Sequence, residues 1–142
     1  MSIAGFDHVA IPTARPEAMM TFYRALGFVA PTPQEWRAQD TRYFSVRFGH
    51  HKINMHAPVL WGDPKFTLRG PAAAPGCGDF CFVWDGTLES LRETLARAGA
   101  PVEMGPVERV GGRDLGTATG VSHYTRDPDG NLLEFIVYGA SD

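Results

Sequence analysis

The chain has 142 residues, of which 44% are hydrophobic and 20% charged, and a formal net charge of −3. That length suits one domain with a substantial core, or two very small half-domains sharing one, and the balance is that of an ordinary soluble globular protein. The negative charge and the lack of a Lys/Arg cluster leave no electrostatic footprint for nucleic acid. No apolar run approaches the ~20 residues of a membrane span.

The opening MSIAGFDHVAI lacks the basic start and long apolar run of a secretory signal. Phe6 to Ile11 reads as a strand, with Val9 and Ile11 on one face and His8 and Ala10 on the other. Thr13 is expected to cap a helix from about Pro16 to Leu26, with Gly27 just past its end. Met19, Phe22, Tyr23 and Leu26 make its apolar stripe. Phe28 to Pro31 is a short strand at best. Strands are expected over 43–48 and 52–57, the second turning Asn54 and His56 away from Ile53 and Met55. Residues 58–75, rich in Pro and Gly, read as a linker whose Trp61 and Phe66 can fold back over the domain.

The pattern then begins again. Asp79 to Trp84 reads as a strand with Phe80, Phe82 and Trp84 on one face. Cys77 and Cys81 share the other face, too far apart to bridge easily, and read as reduced core thiols of a cytoplasmic protein. Thr87 is expected to cap a helix whose stripe is Leu88, Leu91, Leu95 and Ala98, closed by Gly99. A strand follows over 102–107. The glycine-rich stretch after it lacks the pattern of a phosphate-binding loop and is expected to close over a site, flanked by Arg109 and Arg113.

Ser122 to Tyr138 reads as a β-hairpin around Asp127-Pro128-Asp129-Gly130, a strong turn sequence. In its second strand Leu133, Phe135 and Val137 form an apolar face. Glu134 stands opposite, between Leu132 and Ile136. It is either a surface carboxylate on a half-exposed sheet or one that needs a partner or a metal. Tyr124, ten residues earlier, falls beside Glu134 across the hairpin.

Both halves thus read strand, helix, strands, with the helix ending at a Gly nineteen residues after His8 and twenty after Asp79. In that alignment His8 falls on Asp79 and Asn54 on Glu134. If the two half-sheets curve toward each other, His8, Asn54, His56, Asp79 and Glu134 converge on one cleft as a metal-ligand set.

FDHVAI, FYRALGF, GCGDFCF and DPDGNLLEF, in this order and spacing, resemble the vicinal oxygen chelate superfamily of glyoxalases, bleomycin-resistance proteins and extradiol dioxygenases. The resemblance implies an α+β fold of two βαβββ modules, 1–57 and 76–142, with concave mixed sheets around a shared cleft and helices outside. It implies a homodimer acting on a small molecule that chelates a metal through neighbouring oxygens. His8 and Glu134 match the family's ligand positions. Asp79 stands where a second His is usual and Asn54 where glyoxalase I has a Glu; His56 lies near enough to compensate. The expected set is therefore His8, Glu134, Asp79 and His56 around Zn, Ni, Mn, Fe or Mg, with Glu134 and Tyr124 as catalytic residues. The reaction would be that of a lyase, isomerase or dioxygenase; a metal-free drug-binding pocket is the alternative.

Overall fold

A computed structural model describes residues 1–139, which divide into two compact units, Met1–Cys77 and a second beginning at Gly78. The architecture is α+β, with one mixed sheet in each unit.

The first unit holds β1 (His8–Pro12), α1 (Pro16–Ala25), α2 (Pro33–Gln39), β2 (Tyr43–Phe48), β3 (His51–His56) and α3 (Pro58–Trp61). Its sheet runs β1-β3-β2, with β1 parallel and β2 antiparallel to β3. The alternation expected of the strands holds: Phe44, Val46, Ile53 and Met55 are buried, as are Met19, Met20 and Tyr23 of α1. The short strand after α1 is reduced to a single bridge, Val29 to Arg47.

Three details differ from expectation. Thr13 does not cap α1, whose N-cap is Arg15; its hydroxyl accepts instead from the Arg15 N–H at 3.1 Å. Its backbone N–H and carbonyl hold His56 and the Trp61 indole, so Thr13 ties three segments together. Helix α2 has no counterpart in the sequence reading. None of its residues is buried, so no apolar stripe betrays it, and a Thr32–Glu35 capping box starts it. Finally, the stretch read as a linker opens with the short helix α3, and it folds back onto the first unit as Trp61 and Phe66 suggested: Phe66 meets the His56 ring edge-on, and Arg69 lies over Trp61 while bonding its carbonyl at 2.7 Å.

The second unit holds β4 (Asp79–Val83), α4 (Leu88–Arg97), β5 (Met104–Val110), β6 (Thr119–Arg126) and β7 (Leu132–Tyr138). Its sheet runs β4-β7-β6-β5, parallel only between β4 and β7. Thr87 caps α4 as expected, in a reciprocal pair with Ser90. Leu91 and Leu95 of that helix are buried, as are Leu133, Phe135 and Val137 of β7. The repeat inferred from the sequence is visible in register. Ala10 stands opposite Asn54 in one unit, and Cys81 opposite Glu134 in the other.

The β6–β7 turn is built as its sequence suggests. Asp127 Oδ1 accepts from the N–H groups of Asp129 and Asn131, each at 3.0 Å, while Oδ2 accepts from the Asn131 amide at 2.8 Å. Gly130 takes a φ of 89°, which a side chain would strain. The Asn131 side-chain oxygen, Oδ1, accepts from the Gly78 N–H at 2.7 Å. Asn131, rather than Asp79, therefore anchors the entry of β4. Among the described residues no helix is long and apolar enough to cross a membrane.

Candidate functional site

Away from the buried faces, the second sheet presents a polar patch centred on Glu134. The register puts Cys81, Glu134, Tyr124 and Met104 in one row across the four strands. Ser122 Oγ, fully buried, donates to Glu134 Oε1 at 2.6 Å. Tyr124 and Cys81 stand directly opposite Glu134 on the neighbouring strands, and each is influenced by its charge. The Ser122 hydroxyl supplies the hydrogen-bonded partner that a carboxylate between Leu132 and Ile136 requires.

The same contacts perturb the neighbours. Partial desolvation of the sulfur against the sheet, reinforced by Glu134 and Asp79, pushes the Cys81 thiol up to about 12 although the residue as a whole is exposed. Burial also raises the Tyr124 phenol, Glu134 adds to the rise, and Arg109 opposes it. Arg109 Nε donates to the Tyr124 hydroxyl at 3.0 Å, and its guanidinium lies 5.7 Å from the ring centroid. An acceptor lone pair on Tyr124 is thereby occupied, which leaves the phenolic proton available for donation. Farther along the face, Arg113 sits 4.4 Å over the Tyr138 ring, and Gly111 approaches the Tyr138 hydroxyl so closely that a side chain there would have to displace the phenol. Both arginines of the glycine-rich segment are thus engaged by tyrosines of the second sheet.

Asp79 is exposed and stands opposite Leu132, on the face that carries Cys81 and Glu134. It is a diagonal neighbour of Glu134, a separation of about 7–8 Å between backbones that two carboxylate side chains can close around a shared ion. Cys77 and Cys81 are free thiols but exposed, not core residues as expected. Strand alternation explains Cys81, because Phe80 and Phe82 occupy the other face.

On the first sheet the corresponding face carries three rows: His8–Lys52–Arg47, Ala10–Asn54–Ser45 and Pro12–His56–Tyr43. His8 is exposed, and its Nδ1 meets Asp7 Oδ1 at 2.5 Å, which leaves Nε2 outward. Asn54 Oδ1 accepts from Ser45 Oγ at 2.8 Å, the first unit's counterpart of the bond on Glu134. Burial, with Arg69 adding to it, holds the His56 imidazole below its ordinary value. His8 and His56 lie four positions apart along β3, roughly 13 Å at a strand's rise, too far for both to hold one ion.

Glu134, Tyr124 and Asp79 therefore belong to one face of the second unit, and His8 and His56 to opposite ends of a face in the first. Among the described residues no three His, Cys, Asp or Glu side chains gather closely enough to hold a metal ion. The two strongest ligand candidates nonetheless have the outer-shell support typical of metal ligands: His8 has a carboxylate on its second nitrogen, and Glu134 a hydroxyl on one oxygen. The sequence reading missed Ser122, Cys81 and Arg109 as neighbours of Glu134. Cross-strand register was the signal that would have found them.

Two mixed sheets, one in each unit, each with one parallel strand pair and a polar open face, define an α+β class. Comparison with known proteins makes this specific. The chain belongs to the Glyoxalase/Bleomycin resistance protein/Dioxygenase superfamily, whose model matches residues 5–135. It is 33% identical to the virulence protein STM3117 of Salmonella typhimurium over 97% of this chain and 87% of that one. It is 31% identical to the glyoxalase domain-containing protein RDO1 of Mycosarcoma maydis, covering 97% of this chain and 70% of that one. Among solved structures it resembles an integron cassette protein of V. cholerae, with a TM-score of 0.79, 31% identity and 98% of each chain covered.

Proposed function

We propose that the chain is a glyoxalase-like enzyme acting on a small molecule with neighbouring oxygens, and that Glu134 is its working carboxylate. The observation that carries this reading is the convergence of Ser122, Tyr124 and Cys81 on Glu134. A carboxylate oriented by a fixed donor is suited to take a proton from a carbon next to a carbonyl. Tyr124, its proton left available by Arg109, donates to an oxygen that gains charge as that proton leaves.

A divalent ion would suit this chemistry: the family resemblance assigns His8, Glu134 and Asp79 to it, and it would supply Lewis-acid polarisation of the substrate oxygens. Within the second unit Glu134 and Asp79 share one face, and among the described residues no three such side chains gather. His56 is left out, because it stands too far along the sheet from His8. Neutral His56, beside Phe66, instead suits contact with the substrate. A metal-free binding pocket is the second reading, favoured by Asp79 and Asn54 standing where the family pattern has a His and a Glu. A homodimer is also part of the proposal, since β2 and β5 are edge strands; a monomer in light scattering at micromolar concentration would remove it.

Metal analysis of protein purified without chelator is the deciding experiment, paired with Glu134→Gln. That variant keeps size and removes charge, so metal affinity should fall tenfold or more, about 1.4 kcal/mol per decade. Unchanged metal uptake, or no stoichiometric metal in the parent, leaves the binding-pocket reading.

A further inference from the structure

The first unit carries a feature that the proposed chemistry does not use. Arg47 and Lys52 stand directly opposite each other across β2 and β3, on the open face. Like charges in that relation destabilise a sheet, where an opposite pair or a neutral one would not. Among the described residues neither side chain is ion-paired. Asp7 feels the charge of Lys52, but its carboxylate is bonded to His8.

The pair also lies where the sheet is hollowed. Because the strand after α1 is reduced to the Val29–Arg47 bridge, the rest of the β2 edge is not covered by a fourth strand. A groove of about 510 Å³ runs there, lined by Arg24, Ser45, Arg47 and Lys52 among others. A second groove of about 390 Å³ shares Val29, Arg47 and Lys52 with it. The single acid lining the larger groove is Glu35, whose Oε1 accepts from the Thr32 N–H in the cap of α2. Three cations therefore line one concavity against one carboxylate with another duty. Alternation along an antiparallel strand also turns the Ser45 N–H to the same side as that of Arg47, adding a backbone donor.

We propose that Arg47 and Lys52, with Arg24, form a binding site for an anionic group of a small molecule, a carboxylate or a phosphate. Arg47 supplies the planar fork suited to either group, and Lys52 a point charge. The bound anion relieves the repulsion between them. None of its members is a proposed metal ligand, although Lys52 stands opposite His8 across β1 and β3.

Calorimetric titration with inorganic phosphate and, separately, with succinate tests this and distinguishes the two chemistries. At least one probe should bind, more weakly as salt rises, and Arg47→Gln and Lys52→Gln should each lower the affinity tenfold or more. Arg126→Gln and Glu134→Gln, in the second unit, should leave it unchanged, so failure here is distinct from failure of the metal reading. In the absence of anion, Lys52→Gln should be at least as stable as the parent, because it removes repulsion. No binding of either probe, equal affinity in the variants, or loss of unliganded stability in Lys52→Gln would overturn the proposal.

Discussion

Ser122 and Glu134 sit on adjacent strands but not opposite each other: the hydroxyl reaches diagonally to Oε1 at 2.6 Å, while Tyr124 takes the position directly across. Glu134 is thus approached from two directions. Removing the hydroxyl by Ser122→Ala leaves a half-buried carboxylate short of one donor. Stability should fall by roughly 1–2 kcal/mol, the range for a hydrogen bond to a charged group discounted for partial exposure. Urea unfolding of parent and variant measures it, and an unchanged midpoint would mean that water replaces the hydroxyl.

The Arg109–Tyr124 bond predicts a titration. Arg109 holds the raised phenol down, so Arg109→Gln should move the Tyr124 pKa further up, whereas Glu134→Gln should move it down. Ultraviolet phenolate absorbance in variants retaining Tyr124 as the reporter reads both shifts. The same sign in both variants would show that burial alone governs the phenol.

Cys81 offers a chemical probe of the same patch. With its thiol pushed up to about 12, it should react with disulfide reagents far more slowly than an ordinary exposed cysteine. Glu134→Gln removes one cause of the rise, and Cys81 labelling, followed in a background lacking Cys77, should accelerate severalfold. Equal rates would place the cause in burial.

His123 gives a pH prediction. It is buried, among the described residues neither ring nitrogen has a hydrogen-bond partner, and burial followed by Arg92 lowers its pKa. A depressed folded-state pKa means the unfolded chain takes up the proton first. The stability tied to neutral His123 is therefore present above its ordinary value of 6.5 and is lost as pH falls through the lower folded value. His56 contributes with the same sign. His123→Leu should flatten the decline between about pH 7 and pH 5, measured by urea midpoints. A decline as steep as in the parent would assign it to other groups.

A cap variant tests the helix that the sequence did not announce. Thr32→Ala removes the hydroxyl that accepts from the Glu35 N–H and should cost about 1 kcal/mol. No change would mean that α2 is held by the Trp36 indole, which donates to the Tyr43 carbonyl at 3.1 Å.

That helix also marks where sequence was a sufficient guide and where it was not. Strand alternation and the stripes of α1 and α4 were legible because burial enforces a period. The ends at Gly27 and Gly99 were legible because both residues sit at positive φ, 98° and 67°. Helix α2 buries nothing, so period had nothing to report, and only its four-residue cap signal was available. At the site, Glu134 and Tyr124 emerged from hairpin spacing, a local quantity. Cys81, Ser122 and Arg109 depend on how β4, β5 and β6 slide against β7, which no short window of sequence encodes. Lys52 and Arg47 were legible as charges but not as neighbours until the β2–β3 register was known.

The shared register of the two units makes the molecule its own control experiment. Position for position, His8 answers to Asp79, Lys52 to Leu132 and Asn54 to Glu134, so one backbone frame carries a cationic surface in one copy and an acidic one in the other. The buried alternation tolerated that inversion of sign because none of these side chains belongs to it. The frame is in that sense a blank, on which charge can be rewritten residue by residue while the strands beneath keep their order.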